Sequence, residues 1–511
     1  MRISTGRSTL IAATALASGV LVGFAGPAMA QDQAVQTAKS DAAAPPADPR
    51  EAKIEKLESE IQDLAAEVQD LKAAESSNLK AVRADQASFK ASLPQVSYPA
   101  GRPTISSADG NFKVALRTDV QLDAAHYSVS PNTPSTDLSS GTNFRRARLG
   151  IDATVFKDWN VAIWGDFGGS GSETPVLNQA YIEYAGFHPG GTQLRLRVGA
   201  WATPVGLEDA TNNAEELFLE RGAAAELVRS FAGGDGRSSV AFFESGKHWY
   251  VSGALTGDTV GAPSTAEFGE QEGFLSRIAI NPLFGMNYDV HLGANISGVL
   301  KPADTAAGPT VAESVRLRIQ PEIRVDDNST RLIDTGAINA SSLTSYGLEG
   351  GASLYGFYAS GEWYKIDVSR TTVGAAASPF NPSFEGWYVQ GSWALTGERH
   401  KWSRANGGFR GITPTHNFSP KDGTLGAFEI AGRYSWLDLN DQAGLVGKAP
   451  PLGGIRGGQQ KITTIGANWY PNPVVRFMLD YQWIRTNRLN ATGVQIGENA
   501  NVVSLRSQFA F

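Results

Sequence analysis

Asn501-Val502-Val503-Ser504-Leu505-Arg506-Ser507-Gln508-Phe509-Ala510-Phe511 alternates with period two. Val503, Leu505, Phe509 and Phe511 fall on one face of a strand, and Ser504, Arg506 and Gln508 on the other. A soluble protein seldom sets a large aromatic on the last residue of such a strand. The closing strand of an outer-membrane barrel does, because one face meets lipid and its aromatic end sits at the membrane interface. Phe509 and Phe511 are therefore the candidate assembly signal, with barrel-assembly machinery as the implied partner. An ordinary half-buried strand is the competing reading, and the rest of the chain decides between them.

The same period begins at Phe112. Phe112, Val114, Leu116, Val120 and Leu122 oppose Lys113, Arg117, Asp119, Gln121 and Asp123. Next, Ala147, Leu149, Ile151 and Ala153 oppose Arg146, Arg148 and Asp152. Leu194, Leu196 and Val198 oppose Arg195 and Arg197; Val315, Leu317, Ile319 and Ile323 oppose Arg316, Arg318, Gln320 and Arg324. The polar faces are dense in charge, and the links alternate between short (470–473) and long (128–143, 439–460). Short turns on one side and long loops on the other suit a membrane barrel, and an open sheet edge cannot stand in lipid. The expected fold is all-β: a transmembrane antiparallel β-barrel over 111–511. About 17 candidate strands can be counted; barrels of one chain are even, which gives 16, with 18 as the alternative.

Ahead of the barrel, residues 1–30 read as a signal peptide, with Arg2 and Arg7, an apolar run to Phe24 and the small-residue site Ala28-Met29-Ala30. An Ala/Pro-rich linker over 31–50 follows. Over 51–75, Ile54, Leu57, Ile61, Leu64, Val68 and Leu71 are spaced three and four apart, which predicts a short periplasmic coiled-coil core. A second linker spans 76–110. No later stretch reaches the ~18 apolar residues of a spanning helix. Absence of cysteine removes disulfide scaffolds and thiolate chemistry. Six scattered histidines without ligand spacing point to no metal site, and the charge of −7 with no basic run to no nucleic-acid partner. Neither a cofactor nor an enzymatic constellation is expected. His291 and Ser297 share a face but lie six residues apart, too far to bond. Asp326-Asp327-Asn328 offers calcium ligands at a loop, against the plainer reading of solvated turn residues.

In several ordered segments the chain resembles the phosphate-selective porin O and P family of Gram-negative outer membranes. These include Asn143-Phe144-Arg145-Arg146-Ala147-Arg148-Leu149-Gly150, Ala180-Tyr181-Ile182-Glu183-Tyr184, Arg331-Leu332-Ile333-Asp334-Thr335-Gly336, Arg433-Tyr434-Ser435-Trp436 and Asn468-Trp469-Tyr470-Pro471-Asn472-Pro473. The resemblance implies a trimer of 16-stranded barrels in outer-membrane lipid, each with a long in-folded loop, passing small anionic solutes and phosphate in particular. One departure stands out. Where the family's third long loop begins with a lysine two residues before a proline, this chain has Ala202 before Pro204.

Strand parity assigns Lys113, Arg117, Arg146, Arg148, Arg195, Arg197, Arg277, Arg316, Arg318 and Arg324 to the lumen as an anion path. Arginines two apart lie about 7 Å from each other on one face, close enough to hand on an anion. A plainer reading pairs them with lumenal carboxylates. Loop 202–237 is the candidate constriction, carrying Glu208, Asp209, Glu220, Arg221 and Arg229, with a short helix expected at 214–221. Two other functions fit the residues: a general or sugar-admitting porin using Trp164 and Tyr181 as a stacking track, and a structural envelope tether acting through the heptad segment.

Overall fold

The computed structural model describes residues 49–130, 138–169, 176–260, 269–304, 313–326, 328–371 and 380–511. The signal-peptide reading, residues 31–48 and Asp327 lie outside them.

Sixteen antiparallel strands form a closed barrel. They are β1 (Phe112–Ser130), β2 (Gly141–Val155), β3 (Trp159–Asp166), β4 (Val176–Phe187), β5 (Gln193–Trp201), β6 (Arg237–Ser245), β7 (Trp249–Thr259) and β8 (Glu272–Phe284). The second half comprises β9 (Tyr288–Lys301), β10 (Ile333–Leu354), β11 (Phe357–Arg370), β12 (Ser383–Ala394), β13 (Ala427–Asp441), β14 (Ile455–Asn472), β15 (Val475–Asn487) and β16 (Asn499–Ala510). Each pairs with its sequence neighbour, and β16 closes on β1 with Ala510 opposite Asp119 and Asn499 opposite Ser130.

The barrel is inside-out relative to a soluble protein. Val114, Leu116 and Leu122 of β1 are exposed, while Asp119, Gln121 and Asp123 on its other face are buried. Leu149, Ile151, Leu196, Val198, Phe477, Leu479, Val503 and Leu505 are likewise exposed; Arg146, Arg148, Arg476, Asp480, Ser504 and Arg506 are buried. The alternation predicted from sequence is thus the alternation of the wall, greasy outward and charged inward. Aromatics gather where strands meet the short turns. Phe112 packs edge-on to Phe156 at 5.0 Å, Trp159 lies 4.9 Å from Tyr184, and Phe357 stacks on Trp393 at 5.4 Å. Phe509 and Phe511, 5.4 Å apart, belong to the same belt. Such a girdle marks a membrane interface. Leu505→Arg, near mid-strand on the outer face, is expected to cost roughly 2–4 kcal/mol of stability in lipid. Urea unfolding in vesicles would measure it, and a cost near zero would contradict the lipid-facing placement.

Turns 156–158, 246–248, 285–287, 355–356 and 473–474 lie at one end and the long links at the other, with one exception described below. Short strands Thr104–Ser106 and Gln95–Ser97 continue the sheet where β16 ends: Thr104 lies opposite Ala115, and Gln95 opposite Ser106.

One strand expectation is corrected. Ser314–Ile319 does not span the barrel but pairs along the start of β10, Ser314 opposite Asn339 and Ile319 opposite Ile333. Its parity is the reverse of the lumenal assignment. Leu317 and Ile319 turn into a core shared with Leu437, Leu439 and Ile455, so Arg316 and Arg318 are exposed at the long-loop end. Arg316 pairs there with Asp334 (Nε–Oδ1 2.8 Å).

By itself, the N-terminal segment is a helix, α1 (Pro49–Ser92), 44 residues long, with none buried. It outruns the 51–75 prediction because no glycine or proline interrupts residues 50–93. Ile54, Leu57, Ile61, Leu64, Val68 and Leu71 are all exposed. Val82 and Phe89, also exposed, repeat the heptad position of Ile61 and Val68.

Candidate functional site

Three segments fold into the lumen. The first is loop 202–236, the predicted constriction. Its helix is α2 (Leu207–Ala210) followed by α3 (Ala223–Ala232), not 214–221. Residues 217–220 remain irregular because barrel-wall side chains take their backbone groups. Asn468 Nδ2 donates to Leu217 O (3.0 Å), Leu219 N to Asp480 Oδ2 (3.0 Å), and Arg506 Nη1 to Leu219 O (2.6 Å). Helix α3 buries Leu227, Val228 and Phe231 against the wall.

The loop's acidity is spent on docking. Glu220 receives Arg145 (Nε–Oε1 2.7 Å), Arg506 (3.1 Å), Arg324 (3.7 Å) and Arg146 (3.8 Å). Glu208 pairs with Arg433 at 3.2 Å, and Asp235 with Arg148 at 2.7 Å. Within the loop Arg229 holds Asp209 and Asp235, both at 2.6 Å, and Arg221 holds Glu216 at 2.7 Å. Burial alone would raise the Glu220 carboxyl. Arg145, Arg146, Arg506 and Arg324 outweigh it and hold that carboxyl well below the usual range.

Arg145 was not legible as lumenal, since parity puts it on the lipid face beside Arg146. A β-bulge brings it in: Gln121 pairs with Arg146 and Leu122 with Phe144, so the skipped Arg145 turns inward with its neighbour.

The second in-folded segment comprises residues 313–326 and 328–332. Glu322 bridges Arg433 (Nη2–Oε2 2.5 Å) and the α3 start, accepting from Ala223 N at 2.8 Å. Arg324 reaches Glu226 at 2.9 Å as well as Glu220. Asp326 accepts from Ser139 N (2.9 Å) and Thr330 N (2.8 Å), the work of a turn carboxylate.

The third is the exception at the short-turn end, residues 395–426. Its small hairpin, Trp402–Ser403 against Gly408–Phe409, rises into the barrel. Arg277, paired with Glu349 at 2.8 Å, donates to Asn406 O and Gly407 O, both at 2.7 Å, and Arg195 donates to Ala405 O at 2.7 Å. Asn406 Nδ2 reaches Ala210 O of the first loop at 2.6 Å, and Phe409 packs with Leu207, Phe218 and Tyr358. Sequence reading missed this insertion. The signal available was a long break in period two with Gly407-Gly408, Pro414 and Pro420 between two good strands. Gly407 sits at φ +62 with Tyr250 Cβ 2.9 Å and Ala279 Cβ 3.0 Å from where a Cβ would be. Gly407→Val is expected to undock the hairpin, costing about 1–3 kcal/mol. Faster proteolysis at 395–426 would register it, and an unchanged cleavage rate would refute the fit.

The remaining predicted lumenal residues divide. Arg197 pairs with Glu183 at 2.7 Å and covers Tyr181, 3.9 Å from its ring; Arg195 shares Glu183 at 3.7 Å; Arg148 holds Asp166 at 2.7 Å. These stitch the wall, as the plainer reading has it. Lys113 and Arg117 instead line a cavity of about 480 Å³ at the short-turn end, together with Arg102, Arg410, Arg476 and Trp164. Among the described residues no carboxylate lies within ion-pair distance of Lys113 or Arg476.

A closed barrel with an apolar exterior, a charged interior and in-folded segments defines an outer-membrane porin; it is not an enzyme fold. The family profile of phosphate-selective porin O and P matches residues 112–511, and the chain belongs to that family. It is 26% identical over 433 residues to an uncharacterized protein of Caulobacter vibrioides, covering 80% of this chain and 76% of that one. It is 23% identical over 405 residues to Porin O of Pseudomonas aeruginosa, covering 75% and 86%. Among solved structures, OmpT of Vibrio cholerae aligns with a TM-score of 0.45 at 10% identity, over 78% of this chain and 98% of that one.

Proposed function

We propose that this porin passes small anions, with phosphate the favoured solute. The observation that carries the reading is the balance left after docking. The acidic residues of loop 202–236 are occupied by arginines, Glu215 by Arg410 at 3.3 Å among them, while the short-turn cavity sets Arg102, Lys113, Arg117, Arg148, Arg410 and Arg476 against the side chains of only Asp119 and Glu215 among the described residues. In a narrow, low-dielectric bore such a surplus raises local anion concentration. The sugar-track alternative loses support, because the Trp164 and Tyr181 rings are already capped by Arg117 (4.6 Å) and Arg197 (3.9 Å).

Planar-bilayer conductance in chloride with added phosphate or sulfate tests the solute. Phosphate should lower the chloride current at concentrations where sulfate does so less. Equal effects would leave a general anion pore, and no effect of either would remove the oxyanion reading.

The assembly belonging to this reading is a homotrimer whose α1 helices associate through Ile54, Leu57, Ile61, Leu64, Val68 and Leu71. Their exposure along the whole stripe supports it. Deleting 49–92 should lower trimer stability on a non-denaturing gel while leaving conductance per barrel unchanged. Loss of an envelope phenotype with unaltered trimers would favour the tether instead.

A further inference from the structure

Arg102 lies in the stretch preceding the barrel, yet it reaches the pore. The turn Pro99–Gly101 folds against the rim, with Gly101 at φ +84 and its absent Cβ only 2.5 Å from Val474 Cγ1, so a side chain there would push the segment off. From this turn Arg102 Nε donates to Leu116 O (2.9 Å) and Nη2 to Asp152 Oδ2 (2.5 Å). The other Asp152 oxygen accepts from Trp164 Nε1 at 2.8 Å. Arg117 Nε waits 3.6 Å from Oδ2, its guanidinium 4.6 Å above the Trp164 ring. Two guanidinium groups thus share one carboxylate, and the surplus positive charge faces the cavity that both arginines line.

We propose that Arg102 is a selectivity-determining residue contributed from outside the barrel: by holding Asp152 it leaves the Arg117 fork available to an anion at the short-turn mouth. Without Arg102, Asp152 would close the short gap to Arg117, and the pair would be neutral to a passing ion. A fork of donors already filled by a carboxylate cannot take a second one. Arg102 is here a positioning residue, acting on the solute through Asp152 and Arg117. The inference rests on the anion-passing reading.

The test is the anion-to-cation permeability ratio of the full mature chain, from zero-current potentials in a potassium chloride gradient. Arg102→Ala should lower the ratio by about a factor of three, the order of effect of one unit charge acting on a nearby ion through water. Asp152→Asn alone should raise it, and the double variant should return it near the wild-type value. A rim pin without electrostatic effect would change heat stability in Arg102→Ala but not the ratio, and that result overturns the proposal. If Arg102→Ala does not assemble, Asp152→Asn still decides, since an unchanged ratio there is equally fatal. A wild-type channel preferring cations would instead sink the anion reading, which the variants leave separate.

Discussion

Glu220→Gln is expected to release loop 202–236 from the wall and give larger, noisier single-channel currents. Glu220 is buried among Arg145, Arg146, Arg324 and Arg506, so removing its charge leaves Arg145 and Arg146 without a carboxylate at ion-pair distance among the described residues and weakens the hold on Arg324 and Arg506, which keep Glu226 and Asp123. Breaking one partner out of a buried ion pair typically costs about 3–5 kcal/mol, and the loop's docking should fall by that order. Acid should do the same without mutation. Glu220, Glu226 and Asp235 sit below their usual range in the docked loop, because their arginines outweigh burial. An undocked loop therefore binds more protons. Docking is fully supported above the ordinary carboxylate range and weakens as pH falls through the depressed values. Burial pushes Glu208 the other way, up to about 8, so between 8 and the ordinary range falling pH favours docking through that residue. Release in strong acid thus belongs to the Glu220 group. Conductance that stays flat on acidification below the ordinary carboxylate range, with Glu220→Gln indistinguishable from wild type, would contradict this anchoring.

The second large effect is expected at the opposite end. Replacing residues 401–410 by a short glycine linker should enlarge conductance by about twofold or more, because the hairpin and loop 202–236 meet in the lumen and current through a narrow bore follows its cross-section. The anchors are Arg277 to Asn406 O and Gly407 O, Arg195 to Ala405 O, and Asn406 to Ala210 O. Arg277→Ala should reproduce part of the gain and also strand Glu349, its partner in a fully buried pair. An unchanged conductance after the replacement would mean that the ion path avoids the hairpin.

Period-two alternation read the wall correctly because a spanning strand has one periodicity and two solvents, lipid outside and polar lumen inside. Leu149 against Arg148, or Leu505 against Arg506, needs nothing more. The reading failed where another element supplied the partner. Arg316 and Arg318 alternate as a spanning strand would, but their segment caps the lumen, and Leu317 and Ile319 find core there. Arg145 required a bulge, which depends on pairing register and not on its own neighbours. Residues 214–221 have the composition of a helix, yet arginine and asparagine side chains of the distant strands β14 and β16 claim their carbonyls. The acidity of loop 202–236 was visible in sequence. That it is neutralised by the wall was not, since the pairs join residues up to 286 positions apart.

The most direct measurement is the sign of the zero-current potential across a bilayer holding the unmodified channel between dilute and concentrated potassium chloride. If the loop carboxylates are occupied and cations outnumber carboxylates at the mouth, chloride carries most of the current and the potential takes the anion sign. A potential of cation sign would mean that the acidic loop faces the ions after all.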